Sequence, residues 1–348
     1  NAGAKGSLFH SSWNWDLNAT YSRLDQMQTV SGYQLKSALG GALGPSFIDG
    51  TGTPTCGTPA APISGCVPVN FFNPTTPDQI SAIKTISSSY NTNNTNRYKA
   101  LQLDLTGKIT TLPAGDLQAT IGAEYNKREG SFIAESGVKA TPQLFLTCGI
   151  SNEACTGNTV GEYSSKGLYA ELYAPILKDM PGAHLLALDL GVRYSDYSQF
   201  GKTTKADFKL EYRPVKDLLL RGTYSQVFRV PTIVDIAASP ANSSITFNDP
   251  CTNLTSADLV ANPNLVKACV GVVPDSGFSE PNGQITGLIT SGPNLKPEKG
   301  HVTTFGFVFE PHQIRGLSLD LDVWKYKISG LITTLDPTYS MAQCVATG

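Results

Sequence analysis

The chain carries a two-residue alternation of apolar and polar side chains over most of its length. In LLALDLGVRYSDY, residues 185–197, Leu186, Leu188, Leu190, Val192 and Tyr194 share one face of an extended chain, and Asp189, Arg193 and Ser195 share the other. WNWDLNATY (13–21), LQLDLTGKI (101–109), LQATIGAEY (117–125), KGLYAELYA (166–174) and ADFKLEYRP (206–214) repeat the pattern. So do LLLRGTYSQ (218–226), TTFGFVFEP (303–311) and GLSLDLDVW (316–324). A period of two is the signature of β-strands with unlike surroundings on their two faces. It predicts an all-β chain of about ten antiparallel strands.

The connections decide which surroundings these are. Short ones fall near His10–Ser12, Leu112–Asp116, Lys178–Ala183, Pro214–Lys216 and His312–Gly316, and long ones occupy 31–96, 131–162, 229–299 and 331 onward; Gln199–Lys202 is the one brief exception. In an up-and-down sheet alternate connections lie on the same rim, so one rim is tight and the other elaborated, as in an outer-membrane barrel with long outer loops. Segments such as 13–29, 97–111, 116–130 and 184–198 exceed the roughly 9–11 residues that cross a bilayer obliquely. They also exceed the usual soluble strand of about 5–6 residues. Trp13, Trp15, Tyr21, Tyr125, Tyr194 and Tyr212 lie towards the ends of the apolar faces, where interfacial girdles form. On this reading Leu186, Leu188, Leu190 and Val192 face lipid, while Asp189, Arg193 and Ser195 face a wet interior. A soluble β-protein remains the alternative, with large residues in a core.

The long connections hold local order of their own. In TTPDQISAIKTIS, Thr76 is placed to cap a short helix, with Pro77 at its first position and Gln79 closing a capping box; Asn262 before Pro263 marks a second start. The chain has seven cysteines, all in long connections: Cys56 with Cys66, Cys148 with Cys155, Cys251 with Cys269, and Cys344 alone. A thiolate–metal site needs closely spaced ligand pairs and usually histidines, but His10, His184, His301 and His312 are scattered. Intra-loop disulfides are therefore favoured over metal or free thiols, and they imply an oxidising compartment. Cys344 is expected to pair with a cysteine downstream.

Charged residues are only 16% of the chain and the net charge is −2, so nothing favours nucleic acid as a partner. No apolar run approaches the 18 or so residues of a membrane helix, which leaves strands as the only means of crossing. No Ser-His-acid set, no carboxylates paired near histidine and no phosphate-cradling glycines are found, so no enzyme activity and no cofactor are expected. The opening NAGAKGSLFH lacks the features of a signal peptide and suggests a removed leader or, better, an internal fragment.

Two motifs carry a resemblance. RGTYSQVFRVPTIVDI (221–236) contains Tyr224, Ser225, Phe228, Arg229 and Pro231, and GPNLKPEKG (292–300) contains Asn294, Leu295, Pro297 and Glu298. Together they resemble TonB-dependent outer-membrane receptors, in which a strand ending Y-S-x-x-F-R-A-P leads into an outer loop and N-P-x-L-x-P-E leads back. Val230 and Lys299 depart from that pattern. Residues 42–72 and 190–201 resemble one branch of the family. The resemblance implies a 22-stranded barrel around a plug. The chain is read as one domain, 1–348, a partial barrel without the plug or the TonB-binding segment, whose edge strands need the rest of the receptor.

By the same resemblance the function is TonB-energised import of a scarce ligand across the Gram-negative outer membrane. The partners it implies are outer-membrane lipid, the remainder of the receptor, the TonB system and a small-molecule or oligosaccharide ligand. Loop 31–96 holds only Lys36 and Lys84 as cations, and loop 131–162 only Lys139. An anionic iron chelate would call for more. Phe71, Phe72 and Tyr90 amid Asn, Thr, Ser and Gly suit a neutral oligosaccharide instead, although such residues equally serve to pack and solvate loops. An iron-siderophore is the second choice, and a passive porin or structural barrel the rival of another class. Arg229 is expected to anchor loop backbone or a carboxylate at the rim, with Glu298 and Asp235 in structural roles.

Overall fold

The computed structural model describes residues 1–9, 11–135, 137, 148–150, 155–279 and 284–347. Among sequence features discussed above, His10 and Lys139 lie outside them. Strands β1 (Ala2–Ser7) and β2 (Asn14–Gln34) precede a loop with α1 (Lys36–Ala42), the short strands β3 (Ser46–Ile48), β4 (Pro54–Thr58) and β5 (Ala61–Pro62), and α2 (Pro77–Ile86). Six long strands follow: β6 (Ser87–Leu112), β7 (Gly115–Ala134), β8 (Thr159–Met180), β9 (Ala183–Tyr197), β10 (Gly201–Val215) and β11 (Leu218–Arg229). A further loop contains α3 (Ile233–Ala237), β12 (Ala241–Thr246), α4 (Ser256–Ala261), α5 (Asn264–Ala268) and β13 (Gln284–Ile289). Strands β14 (Glu298–Phe309) and β15 (Leu319–Ser329) and helix α6 (Pro337–Thr347) complete it.

The long strands form one ten-stranded antiparallel sheet in the order β1-β2-β6-β7-β8-β9-β10-β11-β14-β15. This is the meander that the alternating short and long connections require. Leu17, Leu101, Ile121, Leu168, Leu190 and Val192 are all exposed on the outer face. Their inward neighbours carry Asp104, Glu124, Asp189, Arg193 and Lys209, several of them in ion pairs. Apolar outside and polar inside is the reverse of a soluble domain and fits a wall between lipid and a wet lumen. No helix among the described residues is long and apolar enough to cross a membrane. Pro175, which has no N–H to donate, sits at a register shift between β8 and β9, where a ladder bond is already missing.

Pairing extends further than the alternation does. β2 and β6 remain paired from Asn14↔Thr106 out to Gln34↔Ser87, with one register shift between Ser31 and Tyr33, so the first long loop is 35–86 rather than 31–96. The other two bounded loops likewise shrink to 135–158 and 230–297. Beyond the bilayer both faces of a strand meet water, and sequence contrast disappears while backbone hydrogen bonding continues. β1 was equally invisible to patterning: AGAKGS has no large apolar side, and its six residues pair only with β2.

Each long loop has a small core of its own beside a disulfide. Cys148–Cys155 belongs with Ala134 and Ile150, Cys251–Cys269 with Leu254, Leu265 and Val345, and Cys66, bonded to Cys56, packs on Ala42, Val69, Ala82 and Ile86. These clusters are too small to hold loops of this length by burial alone, so the cross-links complete them. Cys344 is free and exposed. Thr76 caps α2 as expected, accepting from the Gln79 amide. The Gln79 side chain, however, accepts from the Asn70 amide at 2.6 Å instead of closing a capping box, which ties the helix start to the preceding loop. The second start lies one residue on: Pro263 is the cap of α5, and Asn262 accepts from the Asn264 amide.

Carboxylates also fasten these loops. The Asn91 amide and side chain both donate to Glu135 at 2.8 Å, holding its carboxyl below the ordinary 4.5. Thr255 does the same to Asp258, by its hydroxyl and its amide, from an ordinary 3.8. A lowered folded-state pKa contributes stability above the unfolded value and loses it as pH falls through the folded one. Hydrogen exchange of the amides of Asn91 and Thr255 should therefore be steady from neutral pH to about 5 and accelerate, relative to intrinsic rates, below about pH 4. Unchanged protection at pH 3 would refute this role.

Candidate functional site

The inner wall opens, towards the long-loop rim, into a cleft of about 480 Å³. Five adjacent strands line it: Asn18 and Thr20 of β2, Tyr98, Ala100 and Gln102 of β6, Glu124, Asn126 and Arg128 of β7, Tyr163 and Ser165 of β8, and Arg193 and Tyr197 of β9. Arg229 and Val230 close it from the end of β11. Alternation delivers these residues, since each is an inward position one or two steps from another on its own strand.

The side chains form a connected polar network. The Tyr98 hydroxyl donates to Asn126 Oδ1 at 2.6 Å, and the Arg128 guanidinium lies 4.8 Å over the Tyr98 ring. Asn126 donates to Glu124, which also pairs with Arg193. Arg193 in turn covers the Tyr169 ring at 5.5 Å. Below it the Tyr169 hydroxyl donates to Asp104 and accepts from Gln102. The Tyr169 ring lies across Gly122, where a Cβ would stand 2.1 Å from it, so the glycine makes room for the aromatic in the wall. Two of the three cleft arginines are matched by carboxylates, Arg193 by Glu124 and Arg229 by Glu298. Among the described residues Arg128 has no carboxylate within 4.0 Å.

Both sequence motifs meet at the rim of this cleft. Arg229 stands opposite Glu298 in the β11–β14 ladder and donates to its two oxygens at 2.8 and 2.7 Å. Glu298, only 6% exposed, also accepts from the Ile332 amide at 2.7 Å, which joins the segment after β15 to the same point. Pro231 is fully buried, and Thr232 and Asp235 form a reciprocal capping box at the start of α3. Asp235 further lies 3.7 Å from Arg229. Ile233 of α3 packs on Gly130 and Gly161, which face each other in the β7–β8 ladder. A Cβ on Gly161 would stand 2.9 Å from Ile233, so the paired glycines make a floor for the helix inside the barrel mouth. The first motif thus ends a strand, pins its arginine and folds the chain back over the cleft.

The second motif is looser. Asn294 is exposed, while Leu295 and Pro297 are half-buried, with the Leu295 amide donating to the Gly292 carbonyl. Tyr224 is exposed on the outer face near His301, and Phe228 meets the Tyr197 ring edge-on at 5.8 Å. Replacing Glu298 by alanine should leave Arg229 and the Ile332 amide without their shared acceptor. Limited proteolysis is then expected to cut within 230–297 much sooner, and Glu298→Gln should show a smaller change. Equal cleavage rates in all three proteins would argue against a clamp.

The aromatic residues singled out in the loops do not reach the cleft. Phe71 and Phe72 project from the first loop, Phe72 with 102% exposure, and Tyr90 packs on Tyr33 at 5.5 Å beside the Cys148–Cys155 cluster. Tyr98, Tyr163, Tyr197, Arg128 and Arg193 line it instead, from strand positions. The cations of the interior thus come from the wall and not from the loops.

The model of the TonB dependent receptor-like β-barrel family matches residues 1–345. The chain belongs to this family. Among solved structures, the ferric enterobactin receptor PfeA of Pseudomonas aeruginosa, in complex with BCV-L6, is 12% identical with a TM-score of 0.50, over 93% of this chain and 34% of that one. The RagAB peptide importer in its closed-closed state is 14% identical with a TM-score of 0.47, over 94% and 29%. A double mutant of the Serratia marcescens hemophore receptor HasR, with its hemophore HasA and heme, is 16% identical with a TM-score of 0.44, over 70% and 34%. No curated protein matches in sequence. The chain spans about a third of the length of each of these three structures. The likeness to PfeA speaks for the barrel fold.

Proposed function

We propose that this chain forms part of the wall and outer loops of a Gram-negative outer-membrane receptor that imports a scarce ligand, with energy delivered through the TonB system to a plug supplied by the rest of the receptor. The observation that carries the reading is the inward-facing cleft, closed by Arg229 and Val230 and clamped at its rim by the Arg229–Glu298 pair, in a barrel of this family. The free edges of the sheet, β1 and β15, support the need for further strands, because unpaired backbone groups in hydrocarbon cost several kcal/mol each. Import should stop when TonB is removed or the membrane potential is collapsed. Uptake that survives both would instead identify a passive porin-like barrel.

For the ligand, the reading is a neutral oligosaccharide. Tyr98, Tyr163 and Tyr197 offer rings, Asn18, Gln102 and Asn126 offer hydrogen bonds, and Arg193 and Arg229 are already neutralised. Arg128 favours a second reading, an anionic iron chelate, because among the described residues its charge has no carboxylate partner. Arg128→Gln in the full receptor separates them: saccharide uptake should change little, while uptake of an anionic chelate should fall about tenfold. If deleting the gene leaves both sugar and iron-chelate uptake unchanged, the importer reading fails.

A further inference from the structure

We infer that the outer face carries a binding site for one acyl chain and the phosphate of a phosphorylated outer-leaflet glycolipid of the lipid A class. A second cavity, of about 610 Å³, lies on that face and not in the lumen. Leu17, Leu101, Leu103 and Leu168 line it, around a low point at Ala123. Ladder pairing explains the hollow: Leu103, Ala123, Leu168 and Tyr194 stand side by side on β6, β7, β8 and β9, so the smallest side chain of the row has large ones on both flanks. Tyr125, Lys166 and Asp196, one row further on, bound it on the long-loop side, at the height where apolar residues give way to charge.

The charge immediately above is basic and partly free. The next row holds Tyr125, Lys166 and Asp196, and the row beyond it Lys99 and Lys127. Lys127 is occupied by Glu129 at 2.9 Å and Glu162 at 3.0 Å, and Arg97 also reaches Glu129. Asp196 has Lys166 and Lys202 as its two cross-strand neighbours. Lys99 and Lys166 are exposed and, among the described residues, have no carboxylate within 4.0 Å. Two strand spacings and a two-residue offset put their Cα atoms about 12 Å apart, within reach of one phosphate between two extended lysines. An acyl chain in the hollow would place its headgroup at this height, where lysines near a charged membrane surface attract anionic lipid.

The inference rests on the proposed outer-membrane location, because the long-loop rim must be the outer leaflet. Its test uses the whole receptor, extracted from outer membranes and titrated with lipid A, dephosphorylated lipid A or phosphatidylglycerol under native mass spectrometry. Lipid A occupancy should fall about tenfold in Lys99→Gln/Lys166→Gln, and the unsubstituted receptor should hold dephosphorylated lipid A as poorly. Ala123→Trp, which fills the hollow but keeps both lysines, should also release lipid A. Occupancy unchanged in both variants, equal binding of phosphatidylglycerol and lipid A, or a doubled receptor mass from pairing through this face would each overturn the site. A receptor that fractionates with the outer membrane but imports nothing refutes the import reading alone, and one absent from that membrane refutes both.

Discussion

An arginine in place of Leu190 is expected to cost about 2–4 kcal/mol of folding free energy in a bilayer. Leu190 is 43% exposed on the outer face, between Leu172 of β8 and Phe208 of β10, well inside the apolar band that ends at Lys166 on one side and Lys178 on the other. An arginine at Thr120 should cost far less, although Thr120 is level with Gly191, the next residue along β9. Thr120 points inward and stands opposite Glu171, so the new cation would meet water and a carboxylate. Refolding titrations into vesicles would measure both. Equal costs at the two positions would contradict the assignment of the faces.

Removing the Cys251–Cys269 disulfide, by serine at both positions, should destabilise its loop by about 2–4 kcal/mol. The bond closes a separation of 18 residues around a small cluster of buried Leu254, Leu265 and Val345 beside the two cysteines, with Leu259, Ala268 and Val272 partly buried against it. Val345 brings in helix α6, so the effect should extend to the far end of the chain. Hydrogen exchange is the suitable measurement: protection should collapse over 251–269 and 337–347 while the β9 amides keep theirs. Unchanged protection in the loop would show that local packing suffices without the bond.

How much of this was legible in the sequence follows from what each solvent imposes. Lipid demands an apolar side chain at every second position, which is why β6 to β11, β14 and β15 could be read directly. The same demand fails at β1, an edge of alanine and glycine, and beyond Tyr21 and Lys99, where paired strands continue through water. Cysteine spacing gave the disulfides, because each loop holds its own pair. Motif order put Arg229 at the rim as an anchor for loop backbone or a carboxylate, without choosing between them or naming Glu298 as the partner.

The cleft was hidden for a different reason. Polar residues at inward positions are ordinary in such a wall, so Tyr98, Arg128 and Arg193 stand out only once the ladder brings them together. Gly130 and Gly161 are separated by a long loop and gain meaning only as partners under Ile233. Helices α1, α3, α4 and α6 were missed because each folds onto a small loop cluster or, for α3, onto the Gly130–Gly161 pair rather than along a long amphipathic stripe.

A wall between lipid and a wet lumen requires the two faces of the sheet to meet different solvents. The direct measurement is a nitroxide scan of residues 186–195 in the full receptor in lipid, comparing collisions with oxygen and with a water-soluble nickel complex. A strict two-residue period is expected: oxygen access high at 186, 188, 190 and 192, and nickel access favoured at 189, 191, 193 and 195. Nickel access at Leu190 and Val192 equal to that at Asp189 and Arg193 would contradict it.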